Sequence, residues 1–196
     1  MTAAPPLRRL APGAHGDCLW VEPVYHLRGY EGAIPEVRLR PEVAEALIRA
    51  AEGLRAEHAT GLLVWDGWRP PALQRRLWDE YRQDLARTTG LEGEALDARA
   101  RLFVSPPDGD DGSPPPHSTG RTVDLTLCSP DGAALDMGGE FDELTERSAG
   151  DYYEREGLAP AEQAYRDRRR LLLRAMEEQG FHRLPSEWWH FEHGQD

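Results

Sequence analysis

Residues 105–116 read SPPDGDDGSPPP, and five prolines, three aspartates and two glycines in that stretch leave no room for a regular element. Whatever helices and sheet this chain builds must come from the segments on either side. The stretch runs straight into a His/Asp motif, so it reads as a surface loop over the mouth of a site rather than a linker between domains. On that reading residues 1–196 form one domain, with 1–20 irregular, and 196 residues suffice to bury a core.

Before the loop, 22–40 reads as loop with short strands. A helix is expected from Pro41, where Val43, Leu47, Ala50, Leu54 and His58 recur at helical spacing. Leu62 to Trp65 is a short apolar run bounded by Gly61 and Asp66-Gly67, which suits a buried strand. Pro70 and Pro71 can start a second helix with Leu73, Leu77, Tyr81 and Leu85 as its stripe. After the loop, Thr122–Leu127 (TVDLTL) alternates like a strand, and 136–150 reads as a Gly-rich loop with turns. A third helix is expected over about 161–179, stopped by Gly180, and a last strand over Trp188–Phe191. Helices and strands do not alternate in a strict βαβ rhythm. The expected class is α+β, a small antiparallel sheet flanked by helices.

A net charge of −12 argues against nucleic acid and anionic membranes as partners. All 23 basic residues are arginine, which removes Schiff-base and P-loop lysines from consideration. No apolar run approaches the ~20 residues that span a bilayer, and the N-terminus carries no secretory pattern, so a cytoplasmic address is expected. Cys18 and Cys128 lack metal-site spacing and read as buried thiols.

Two short motifs carry the chemistry. His117 and Asp124 are ligand types that suit Zn²⁺, but their odd separation would send them to opposite faces of one straight strand; Gly120 offers the bend that can turn them together. Alone, such a pair is more often structural. Glu187-Trp188-Trp189-His190 can place a base and a ligand at one metal, given a local twist; the plainer reading is a strand whose tryptophans fill the core. Together, His117, Asp124 and His190 make three ligands and leave a fourth position open, the pattern of a catalytic zinc. Glu187 then serves as general base. Arg69, in DGWRP, can donate a forked hydrogen bond to an oxyanion or carboxylate, with a plain surface arginine as the alternative. Glu192 and His193 read as solvated, His182 as a turn residue, and His15, His26 and His58 have no partner motif.

With those residues in view, the chain resembles the D-alanyl-D-alanine dipeptidases, the VanX-type zinc peptidases linked to vancomycin resistance. The likeness runs from about residue 30 to the end, through GLLVWDGWRP (61–70), HSTGRTVDLTL (117–127), DMGGEFDELTERS (136–148), RRRLLLRAMEEQGF (168–181) and SEWWHF (186–191). The resemblance implies one zinc per chain held by His117, Asp124 and His190, Glu187 as the base, and Arg69 as the arginine that stabilises the transition state. It also places Asp142 among residues lining the pocket of a small D,D-dipeptide. Pro115 stands where the family often has Ser, Thr122 where it usually has Ala, and residues 18–30 match it poorly. The rival readings are a zinc D,D-carboxypeptidase acting on longer cell-wall peptides and a zinc-binding module without catalysis.

Overall fold

Prolines open all three long helices: Pro41, Pro71 and Pro160 each occupy the first helical turn, where a missing N–H forfeits no helical hydrogen bond. The computed structural model describes residues 6–10, 16–110, 112–143 and 145–194. Its elements in chain order are β1 (Arg8–Leu10), β2 (Leu19–Val21), α1 (Val24–Leu27), β3 (Val37–Leu39), α2 (Pro41–His58), β4 (Gly61–Asp66), α3 (Pro71–Thr89), α4 (Gly93–Ala100), β5 (Thr122–Cys128), α5 (Pro160–Glu177), β6 (Phe181–Arg183) and β7 (His190–His193). Short 3₁₀ turns span Pro116–Thr119 and Glu146–Ser148.

The class is α+β, as the element pattern predicts. A five-stranded sheet runs β2-β4-β5-β7-β6, and β1 pairs with β3 in a separate two-stranded ribbon. One edge departs from the expected antiparallel sheet, because β2 joins β4 in parallel. The chain between them passes through α1, β3 and α2, the long crossover that a parallel pair requires.

Alternation along β5 sets the two faces of the sheet. Val123, Leu125 and Leu127 join the main core with Leu47 and Leu54 of α2 and Leu172 and Met176 of α5. The intervening Thr122, Asp124 and Thr126 therefore point to the opposite face, where the site lies. All seven β5 residues are buried. The strand is covered on both sides.

Several expectations need correction. The first twenty residues are not wholly irregular: β1 and the start of β2 lie there, with Leu10 fully buried and paired to Val37. Helix α1 occupies part of the segment read as loop. Helix α4 escapes periodicity because it buries only Leu96 and Ala100. The final strand begins at His190, since Trp188 and Trp189 form a turn ahead of it. His182 is a strand residue of β6, and His193 meets Phe181 edge-on with centroids 4.8 Å apart rather than standing in solvent. His15 lies outside the described residues. Cys18 and Cys128 are buried and form no disulfide. Among the described residues no helix is long and apolar enough to cross a membrane.

Candidate metal centre

The odd spacing of His117 and Asp124 is resolved by the turn between them. His117 sits in the 3₁₀ turn, and Gly120, at φ 71°, reverses the chain into β5. Asp124 then stands directly opposite His190 in the β5–β7 register. Asp124 Oδ2 lies 3.2 Å from His117 Nε2, and Asp124 Oδ1 lies 3.1 Å from His190 Nδ1. One donor atom from each of the three falls within 4.8 Å of the others, and all three residues are buried.

These residues fit a zinc ion on four counts. The imidazole and carboxylate donor set is one zinc takes. The groups already stand close together, with His117 Nε2 3.2 Å from Asp124 Oδ2 and His190 Nδ1 3.1 Å from Asp124 Oδ1. Asp124 Oδ1 is buried, yet it completes no hydrogen bond despite its nearness to His190. Finally, His117 Nδ1 lies 2.8 Å from the Gly67 carbonyl, so that nitrogen carries the proton and Nε2 keeps a lone pair facing Asp124. Glu192 approaches the far nitrogen of His190, with Oε1 3.6 Å from Nε2, which leaves Nδ1 to face the site. Glu192 is thus a partner of His190 and not merely a solvated residue.

The charges agree. Burial works against ionised Asp124, but His117 and His190 outweigh it and hold the carboxyl well below its usual range. Burial likewise works against charged His190, yet Asp124 and Glu192 raise it to about 10. The metal-free cluster is a protonated imidazole clasped by carboxylates, an arrangement in which a divalent cation would take the place of the proton.

Glu187 reaches the same centre because the Trp188–Trp189 turn breaks strand alternation. Its Oε2 lies 3.7 Å from His190 Nδ1. Burial, reinforced by Asp124 and Asp142, pushes its carboxyl up to about 7. Arg69 is 8% exposed, which rules out the surface alternative. Its Nε donates to Asp66 Oδ2 at 2.9 Å, its Nη1 to Gln74 Oε1 at 2.9 Å, and its Nη2 lies 3.6 Å from Asp124 Oδ2. The guanidinium lies over the Tyr25 ring at 5.1 Å. Asp142 adopts φ 64°, tolerable for aspartate, and accepts a hydrogen bond from Tyr25 Oη at 3.1 Å. Burial, helped by Asp124, raises it to about 6. His26 and His58 take no part in the cluster.

These groups line a cavity of about 370 Å³ that also takes in Tyr25, Gln74 and Ser186. Three supporting residues escaped the sequence reading. Asp66 and Gln74 flank Arg69 in the DGWRP neighbourhood, where polar residues near a buried arginine were the available signal. Tyr25 lies in the poorly matched stretch and offered none.

A family model described as D-Ala-D-Ala dipeptidase, peptidase family M15, matches residues 36–196. The chain belongs to the D-Ala-D-Ala dipeptidase family. Among its relatives, the D-alanyl-D-alanine dipeptidase of Synechocystis sp. is 36% identical over 179 residues, covering 84% of this chain and 72% of the relative. The Enterococcus faecium D-alanyl-D-alanine dipeptidase is 34% identical over 152 residues, covering 76% of this chain and 70% of the relative. The solved structure of VanYB in complex with D-alanine-D-alanine superposes with a TM-score of 0.54 at 17% identity, covering 80% of this chain and 72% of that one. That likeness supports the fold alone.

Proposed function

We propose that this chain hydrolyses D-alanyl-D-alanine, or a similarly small D,D-dipeptide, with one zinc ion held by His117, Asp124 and His190. The observation that carries the reading is the convergence of those three side chains within 4.8 Å, with the Glu187 carboxylate 3.7 Å from His190. Zinc, when bound, supplies a Lewis acid that polarises a peptide carbonyl and makes water acidic near neutral pH.

The chain's own groups do the rest. Glu187, ionised, accepts the proton of the attacking water at a carboxylate oxygen and later returns a proton to the departing amine nitrogen. The attack yields a tetrahedral carbon whose oxygen carries negative charge, and Arg69, whose burial is outweighed by Tyr25 and the carboxylates of Asp66 and Asp124 so that it stays cationic, stabilises that charge. Its hydrogen bonds to Asp66 and Gln74 keep the guanidinium aimed before the substrate arrives. Asp142, braced by Tyr25, offers an anionic end for the substrate's ammonium group.

Release of D-alanine from D-Ala-D-Ala by the purified protein, abolished by a chelator and restored by zinc, is the expected result. Stoichiometric zinc with no turnover of any D,D-dipeptide would leave a binding module instead. A cytoplasmic location and a role in glycopeptide resistance or cell-wall peptide turnover belong to the same proposal. Cell fractionation and the susceptibility of a deletion strain test them.

A further inference from the structure

Apolar side chains left open to water are unfavourable unless something covers them, and here they gather on one wall of the cavity. Leu102 is 55% exposed, and beside it half-buried Leu77, Tyr81, Phe103 and Val104 line the same space. The wall is built by α3 and the residues just after α4, a helical hairpin with its own small core of Trp78, Leu85, Leu96 and Ala100. Tyr81 and Val104 pack against that core, and Tyr81 meets Phe103 edge-on with centroids 6.1 Å apart. Gln74 ties the wall to the reacting centre. Its Oε1 accepts from Arg69, while its Nε2 donates to the Ser105 carbonyl at 2.7 Å.

Size and polarity then decide what the wall is for. D-Ala-D-Ala occupies on the order of 200 Å³ at protein-like packing density. A cavity of about 370 Å³ leaves room for a branched or aromatic side chain as well. The charged groups along this side pair at its outer rim, Glu80 with Arg76 at 2.7 Å and Arg101 with Asp110 at 3.5 Å. A hydrocarbon side chain seated there would cover the exposed wall.

We propose that the site takes D,D-dipeptides in which one residue is large and apolar, of the leucine or phenylalanine class, with that side chain seated on the wall of Leu77, Tyr81, Leu102 and Phe103. The inference rests on the dipeptidase reading above and names its substrate class. The reaction stays a hydrolysis: water adds across the peptide C–N bond, giving one free carboxylate and one free amine.

The test compares kcat/KM of the zinc-loaded protein for D-Ala-D-Ala, D-Ala-D-Phe and D-Phe-D-Ala. The better phenylalanine dipeptide is expected to equal or exceed D-Ala-D-Ala. Leu102→Ser and Phe103→Ala are each expected to lower the ratio of that dipeptide to D-Ala-D-Ala by roughly tenfold, the scale of apolar pocket discrimination. Leu102 is exposed, so its variant keeps the test valid should Phe103→Ala fold poorly. Turnover of D-Ala-D-Ala with both phenylalanine dipeptides slower, or a ratio unmoved in both variants, overturns the inference while the dipeptidase reading stands. No turnover of any of the three with zinc bound overturns both.

Discussion

Asp124 and His190 face each other across the β5–β7 ladder, with Oδ1 of one 3.1 Å from Nδ1 of the other. Register partners on antiparallel strands share a face, so backbone pairing itself brings these two groups together. His117 has no such guarantee. It depends on the turn that ends at Gly120.

Gly120→Ala is therefore expected to weaken zinc binding by about tenfold without unfolding the protein. A side chain at φ 71° costs about 1–2 kcal/mol, and its Cβ would come 2.6 Å from Leu7 Cδ2, the movable end of a side chain. Competition with a chromophoric chelator measures the affinity. An unchanged value would show that the turn does not govern where His117 sits.

Zinc binding should release a proton near neutral pH. His190 is raised to about 10 in the metal-free protein, so it is charged at pH 7 and must lose its proton to act as a ligand. Affinity is then expected to rise with pH. Calorimetry in buffers of different ionisation enthalpy counts the protons, and a count of zero at pH 7 would contradict the arrangement around Nδ1.

Replacing the proposed base should separate activity from stability. Glu187→Gln is expected to keep zinc and lose at least ~10²-fold in kcat. In the metal-free protein the Glu187 carboxyl is raised to about 7 from its usual 4.5, so the native state holds the proton more tightly than the unfolded chain. Wild-type stability falls as pH rises between those values, at about 1.4 kcal/mol per unit. The variant lacks this titration and should be the more stable form at pH 7–8 by a few kcal/mol, with the advantage shrinking toward pH 4. Urea denaturation of chelated protein across that range decides the point.

Arg69→Met is expected to lower kcat about 10²–10³-fold with zinc retained, the usual loss for one donor to a developing oxyanion. The substitution also leaves Asp66 without its 2.8 Å partner, so some loss of thermal stability should accompany it. Full activity in a folded variant would remove Arg69 from the reaction.

Asp142→Asn should act mainly on KM, because the carboxylate is assigned to the substrate's ammonium group rather than to the reacting carbonyl. Steady-state kinetics on D-Ala-D-Ala gives the split. A fall confined to kcat would place Asp142 elsewhere in the chemistry.

Local patterning alone determined the long helices, two of them with prolines at the start, and the buried β4 and β5. TVDLTL alone says that Val123, Leu125 and Leu127 share a face and that Asp124 takes the other, because side chains in a strand alternate. Residue chemistry and family resemblance together singled out His117, Asp124, Glu187 and His190. Three-residue strands such as β1, β2 and β6 were not legible, since so short a run carries no period. The Trp188–Trp189 turn was hidden as well: aromatic residues favour strands, and only packing against neighbouring segments overrides that preference. Tertiary structure decided which distant residues serve as partners, including Gly67 for His117, Glu192 for His190 and Tyr25 for Asp142. Those pairings depend on strand register and on burial shared by segments far apart in the chain, and burial is also what moves the carboxyls of Glu187 and Asp142 upward. No local stretch of sequence contains that information.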